Sequence, residues 1–559
     1  MKKTLISFGL LTFFISFSLA GSIVVGTKTY PVDTLAHYKV GPGSYYTALS
    51  LMDPTAPLRV FFLEVDAKNQ YIQLKAVLAR DSTVTCERTS AMAIRKTTAG
   101  AAYFGGTNGG FFSASGNLSQ GCMVGGEVAR NPYVSATTGL TDIAFDRNIV
   151  PFIDTKAYYG KVYAGDSLSP SLLITNINVA RATNNLILYN QLNGHYTHTN
   201  QYGCEVRVQL TGSSTTWDVN KFVNVKVMSK ISGQGNMAIP VGEAVLSGNG
   251  TAESFLNALN VNDVISIKIK ITLSSSSDKP LLTDMVGGDR QILQHGLVTD
   301  NDWVELNPRT AVGYSADKSK IYFCIVDGRS TISVGVSTKQ LADIIKSAGA
   351  SEAINLDGGG SSCMYVKEKG VMNVLSDGSE RAVGNGLFAV SSAPTDVTIS
   401  EISAYKKTVE LPTNGTFTPT FLGYNQYGAL LNTNVQGVTL SCPAGLGSVN
   451  GGTFTASGTP QSGVLTATYN SIQTTINSIT LNGTGIDKHE MSNVYISLNG
   501  NQIHISEEVA LAEIYSITGQ KVASVTNVSS IKAPVAKGVY IVIVVDKASA
   551  KKIQKVAVN

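Results

Sequence analysis

The chain has 559 residues, 43% hydrophobic and 15% charged, the balance of a folded, lightly charged protein rather than a disordered one. That length exceeds a single hydrophobic core and suggests several domains. A formal net charge of +4 with no long basic run argues against nucleic acid as the main partner.

Residues 1–20 read as a cleaved signal peptide. Lys2 and Lys3 precede an apolar core, and Ser18 and Ala20 stand at small-residue cleavage positions. No cysteine closes this segment, so a lipid anchor is not expected. Elsewhere the longest apolar runs, such as "VYIVIVV" at 539–545, have strand length and fall far short of a membrane span. The expected location is secreted, periplasmic or cell-surface, with no transmembrane segment.

Residues 22–392 mix strand-like runs with helices and hold most of the double-glycine loops. "GGTNGGFFS" (105–113) places Asn108 and Gly109 before two aromatics. Glu205 follows in "YGCEVRV", within a stretch of roughly 176–275 that carries no comparable motif. "MVGGDRQIL" (285–293) sets Asp289 and Arg290 after a glycine pair, and "NPRTAVGYS" (307–315) sets Arg309 and Thr310 after a proline. Then "KIYFCIVDGR" reads as an apolar strand ending at Asp327, with Arg329 two residues on; its Cys324 reads as a small buried side chain.

The next segment predicts a helix: Ser337 as N-cap with Gln340 three residues later is a capping box. Leu341, Ile344, Ile345 and Ala348 recur at helical spacing, and Gly349 suits the stop. "EAINLDGGGSS" follows as a second buried strand running into Asp357, Gly358, Gly359, Gly360 and Ser361. A strand–helix–strand unit of this kind makes the two strands parallel, so that both end at one sheet edge, where ligands tend to sit. "SERAVGNGL" (379–387) adds Arg381.

"SSAPTD" (391–396) reads as a linker. Residues 395–483 carry short alternating strands with Thr, Ser, Asn and Gly turns, the pattern of an immunoglobulin-like β-sandwich. Residues 485–559 read as a second small β-sandwich, in which Asn499-Gly500 signals a hairpin. The expected fold is therefore α+β: a strand-rich, mixed-sheet catalytic domain followed by two small all-β domains.

Several chemistries lack their motifs. The six cysteines form no CxxC pair, the six histidines show no HExxH or other metal spacing, and neither a GxSxG elbow nor a P-loop is present. No cofactor or metal site is expected, although acidic loops leave room for a divalent cation. What recurs is arginine, aspartate and glycine-rich loops. Arginine forks suit phosphate or carboxylate, and loop N–H groups hold anions or sugar hydroxyls. Asp357, Asp327 and Glu205 are the carboxylates available for work at an anomeric carbon. Asn108, Gly109, Asp289, Arg290, Thr310, Arg329, the 358–361 loop and Arg381 are the candidate substrate-binding groups. The mixture fits a substrate that is both sugar and phosphate.

"GPGSYYTAL" (41–49), "TNGGFF", "NPRTAVG", "VDGR", "GVSTKQLADII", "AINLDGGGSS" and "RAVGNGL", in this order over roughly residues 40–392, resemble the phosphodiester glycosidase family. The resemblance implies hydrolysis of a sugar-1-phosphodiester at the glycosidic carbon–oxygen bond. It also implies site roles for Asn108, Arg309, Thr310, Asp327, Arg329, Asp357 and the loop 358–361, with Arg309 and Arg329 steadying the phosphate and Asp357 acting at the sugar. The last zone, "IYSITGQKVASV" with "KGVYIVIVV" and a basic end, is similar to the sorting domains of type IX bacterial secretion. Two competing readings are a non-catalytic glycan-binding surface protein and a glycosidase acting on an exopolysaccharide without phosphate. For the first, aromatic stacking has few tryptophans to use, only Trp217 and Trp303.

Overall fold

The computed structural model describes residues 21–131, 140–154, 156–165, 168–273, 280–481, 494, 496–499, 501–516, 521–545 and 551–558. The signal-peptide reading of residues 1–20 lies outside them, as do Gly500 and the Gly519-Gln520 part of the C-terminal motif. The chain forms two compact units. The first comprises Met1–Lys406, Thr420–Val438 and Tyr469–Thr474, and the second Lys407–Pro419, Thr439–Thr468 and Thr475–Asn559.

The architecture is mostly β. Three α-helices occur among the described residues, Thr89–Lys96, Thr251–Asn257 and Thr338–Ser347, so the α+β expectation overstated the helix. The reason is composition. Runs such as "VISIKIKITL" (Val264–Leu273) are β-branched and alternate between more and less buried positions along the whole strand.

A nine-stranded sheet organises the first unit. Its order is Ser22–Val25, Lys28–Gly41, Ser44–Leu51, Leu58–Asp66, Lys320–Val326, Arg309–Tyr314, Glu352–Asn355, Arg290–Gln294 and Leu297–Val298. Both faces are covered, which is why its central strands read as continuous apolar runs. Alternate side chains separate cleanly. Phe61, Leu63, Val65, Ile321, Phe323 and Ile325 enter a core shared with Phe104, Leu74, Val366 and Leu387 of a five-stranded sheet. Val60, Phe62, Tyr322, Cys324 and Val326 enter the opposite core, against Leu341, Ile344 and Ile345 of the helix Thr338–Ser347. Cys324 is the small core residue its sequence context indicates, and all six cysteines are unpaired.

The capping box is formed as read: Ser337 N–H donates to Gln340 Oε1 at 2.9 Å and Gln340 N–H to Ser337 Oγ at 3.3 Å. The two strands flanking this helix do run parallel, because each is antiparallel to the strand Arg309–Tyr314 lying between them. That intervening strand was not foreseen, and it brings Arg309 to the sheet end where Asp327 and Asp357 emerge.

A second five-stranded sheet and an eight-stranded sheet, the latter holding Cys204–Leu210, share another core in the first unit. In the second unit, Ile503, Val509, Ile514, Val542 and Val544 form the core of the C-terminal sheet, whose first hairpin pairs Asn499 with Gln502. No helix among the described residues is long and apolar enough to cross a membrane.

Candidate active site

Pairing in the nine-stranded sheet sets Arg309 opposite Val326, Ala311 opposite Asn355, and Arg290 opposite Asn355. Asp327, Asp357, Arg309 and the Asp289-Arg290 pair therefore share one end of the sheet. The strand Ala102–Asn108 of the neighbouring sheet ends at the same place. Asn108 Nδ2 donates to the Asp357 carbonyl at 2.7 Å, Asn108 Oδ1 accepts from Thr310 Oγ1 at 2.9 Å and from the Cys363 N–H at 3.2 Å, and Asp357 N–H donates to Gly109 O at 3.1 Å.

Asn108 and Thr310 are fully buried, and the bond between their side chains staples two sheets together. Asn108→Ala should lower stability by about 2–3 kcal/mol by stranding buried partners, a loss read from denaturant midpoints.

The glycine run is what lets Asp357 sit against this wall. Gly359 N–H donates to Pro308 O at 2.8 Å from a left-handed φ of +63°, a conformation suited to glycine. A Cβ on Gly358 would stand 2.8 Å from that same carbonyl oxygen. Asp357 Oδ1 accepts the Gly358 N–H at 2.9 Å, and the Ser361 hydroxyl also bonds the carboxyl. Burial nevertheless pushes its pKa up to about 6; Ser361, Gly358 and Arg381 oppose the rise and Asp289 adds to it. Arg381 is held by Asp377 at 2.6 Å and reaches Ser361 Oγ at 3.4 Å, which places it over the loop.

The other two candidate carboxylates sit differently. Asp327 is buried and its pKa is also raised to about 6 by burial. Both of its oxygens are occupied, Oδ1 by Asn373 Nδ2 at 3.2 Å and Oδ2 by the Val374 N–H at 3.1 Å. Glu205 is not among the groups joined to Asp357. It lies in the eight-stranded sheet with no exposure, bonded by Thr197, Thr199 and the Met237 N–H. Its position among alternating apolar residues of a strand is what a structural carboxylate shows.

The arginines separate into two groups. Arg329 is exposed and clasps Asn307 Oδ1 through Nε and Nη2. Arg309 is buried and spends Nε on Val336 O at 3.2 Å and Nη2 on Glu305 O at 2.8 Å and Trp303 O at 3.4 Å. Arg290 donates Nε to Asp289 Oδ2 at 2.7 Å and Nη1 to Asn301 at 3.0 Å, while Asn355 holds the other Asp289 oxygen at 2.7 Å. Burial raises the Asp289 pKa against these donors.

Arg309 and Arg290 are associated through one aromatic ring. Both guanidinium carbons lie over the Trp303 ring, at 5.0 Å for Arg309 and 5.3 Å for Arg290. Phe111 stacks on the same ring at 6.5 Å. The sequence reading missed this use of Trp303; its closeness to Arg309 in the chain was the available signal.

Residues 213–390 match the family profile described as Phosphodiester glycosidase. This segment belongs to the phosphodiester glycosidase family. The matched segment carries the Asp289, Arg309, Asp327 and Asp357 loops but not the one after Asn108, and it begins inside the stretch 176–275 that held no recognisable motif.

A 101-residue stretch is 41% identical to the SPbeta prophage-derived uncharacterized protein YomE of Bacillus subtilis, covering 18% of this chain and 15% of that protein. Among solved structures, a hypothetical protein from Synechocystis is similar at 15% identity and TM-score 0.48, over 62% of each chain. The zebrafish N-acetylglucosamine-1-phosphodiester alpha-N-acetylglucosaminidase catalytic domain, auto-inhibited by its pro-peptide, is similar at 14% identity and TM-score 0.31, over 64% of this chain and 87% of that one. The chain thus spans less than two thirds of the length of the first relative and the first structure it matches.

Proposed function

We propose that the protein is an exported phosphodiester glycosidase that hydrolyses a sugar-1-phosphodiester, of the N-acetylglucosamine-1-phosphate type, at the glycosidic carbon–oxygen bond. Water supplies the new hydroxyl on the anomeric carbon, and the phosphorus keeps the bridging oxygen, so the products are free sugar and a phosphomonoester. One observation carries this reading. A carboxyl with its pKa near 6, Asp357, feels the charge of Asp289, and Asp289 in turn bonds Arg290 and acts on Arg309. Sugar chemistry and anion recognition are thereby within electrostatic reach of each other at one sheet end.

Asp357 is the carboxylate assigned to the anomeric centre. Arg309 and Arg290 are assigned to the phosphoryl oxygens, where fixed positive charge stabilises the leaving group as the bond breaks. Arg329 and Arg381 are assigned to the rim of the same loop. Asp327 is assigned a supporting role behind the loop, because its oxygens are already bonded.

The test is turnover of a panel of sugar-1-phosphodiesters, assayed with and without chelator and followed by a phosphomonoesterase. Free sugar in the first step, with inorganic phosphate only after the second enzyme, is the expected result. Turnover confined to phosphate-free glycosides, or sugar binding with no turnover on any member, would overturn it. The chelator arm reads metal dependence directly.

A further inference from the structure

Trp303 is 39% exposed, so burial of its ring is not what keeps an indole at this position. Its main chain is fastened without the ring. The Trp303 N–H donates to Thr338 Oγ1 at 2.7 Å, and the Thr338 N–H returns a bond to Trp303 O at 3.1 Å. Neighbouring Asp302 Oδ1 accepts from Thr338 Oγ1 and the Lys339 N–H, both at 2.9 Å, tying the loop to the first turn of the helix Thr338–Ser347. The ring itself is free to serve two cations.

Those two cations repel each other, and Arg290 lowers the pKa of Arg309 beyond the effect of burial. An aromatic ring contacted by both offsets part of that repulsion through its quadrupole. Each arginine also keeps one nitrogen in reserve. Among the described residues Arg309 Nη1 and Arg290 Nη2 carry no hydrogen bond, and neither is sealed from solvent without a partner. Two guanidinium groups fixed on one indole, each with an uncommitted N–H edge, form a receptor for a group with several anionic oxygens.

We propose that Trp303 is a positioning residue that holds Arg290 and Arg309 as a two-guanidinium clamp for a phosphoryl group, and thereby favours phosphate-linked over phosphate-free sugars. The proposal rests on the phosphodiester glycosidase reading above. It adds to that reading the residue that gives phosphate-linked sugars their advantage. Trp303 exerts its effect through the arginines, and Phe111 stacks on the same ring.

The experiment compares wild type, Trp303→Ala and Trp303→Phe. It uses calorimetric binding of inorganic phosphate, steady-state kinetics on a sugar-1-phosphodiester and on a phosphate-free aryl glycoside of the same sugar, and melting temperature as a fold control. Losing two cation–π contacts should weaken phosphate binding and raise KM for the diester about tenfold in the alanine variant, with kcat much less affected. Phenylalanine should restore most of the loss, and the aryl glycoside should respond equally in all three proteins.

Equal losses on both sugars, or failure of phenylalanine to restore phosphate binding, would overturn the proposal. So would a wild type that binds no phosphate. A wild type that binds phosphate in a Trp303-dependent way yet cleaves no diester would uphold the clamp and sink the assigned reaction, so the two claims fail separately.

Discussion

Asp357→Asn is expected to lower turnover of a sugar-1-phosphodiester by about 10³-fold or more while leaving a folded protein. A phosphomonoester is a good leaving group that needs positive charge more than it needs a proton. The demanding event lies at the anomeric carbon, where a carboxylate must activate water or attack directly. Both roles use the ionised form. With the Asp357 pKa held near 6 by burial, kcat/KM should rise about tenfold per pH unit below 6 and level off above it. A limb that falls above pH 6 would instead make Asp357 a general acid and reject this assignment. Asp327→Asn is the control, since Asp327 titrates in the same range but has both oxygens bonded; it should leave the limb in place.

The same shift has a consequence for stability, with a definite sign. A carboxyl whose pKa is higher folded than unfolded stabilises the fold fully below its unfolded value, near 4, and that contribution is lost as pH rises through about 6. At pH 7 ionised Asp357 should cost on the order of 1–3 kcal/mol. Asn keeps an acceptor for the Gly358 N–H and a donor for Ser361, so Asp357→Asn should melt higher than wild type at pH 7, with the gap closing near pH 4. An inactive variant that gains stability marks a group retained for chemistry rather than for the fold.

Much of this sheet end is legible in the sequence because its signals are local. The capping box at Ser337 and Gln340 predicts the helix, and the apolar runs ending at Asp327 and Asp357 predict two parallel strand ends. What is not legible depends on pairing between distant strands. Nothing local says that Arg309–Tyr314 inserts between those two strands, yet that insertion moves Arg309 beside Asp289 and Arg290. Nor does local pattern tell a buried staple from a ligand contact. Asn108 sits in a glycine-rich loop typical of binding sites, and only the fold reveals its bonds to Thr310, Cys363 and the Asp357 carbonyl. Glu205 has the opposite character: it looks chemically able, but its partners all lie within its own sheet region.

Arg309→Ala should cost about 10²–10³-fold in kcat, because a fixed guanidinium lost from a developing charge is among the larger single terms in catalysis. It should also lower stability by about 1–3 kcal/mol, since the carbonyls of Val336, Glu305 and Trp303 lose their buried donor. Arg309→Lys separates the two effects. Lysine keeps the charge but presents a point ammonium in place of a planar fork. It should recover part of the stability while turnover stays down by more than about tenfold.

Arg329 provides the contrast. Exposed and bonded through its side chain, among the described residues, to Asn307 alone, it should lose less than about tenfold on substitution with alanine, the scale of a screened rim charge. Kinetics of Arg309→Ala, Arg290→Ala and Arg329→Ala on one diester measure the order directly. Losses falling in the order Arg309, Arg290, Arg329 locate the phosphate over Trp303. If Arg329→Ala matched Arg309→Ala while Arg290→Ala stayed near wild type, the phosphate would lie instead on the side of the glycine loop where the Arg329 guanidinium stands 3.0 Å from the position of a Gly359 Cβ.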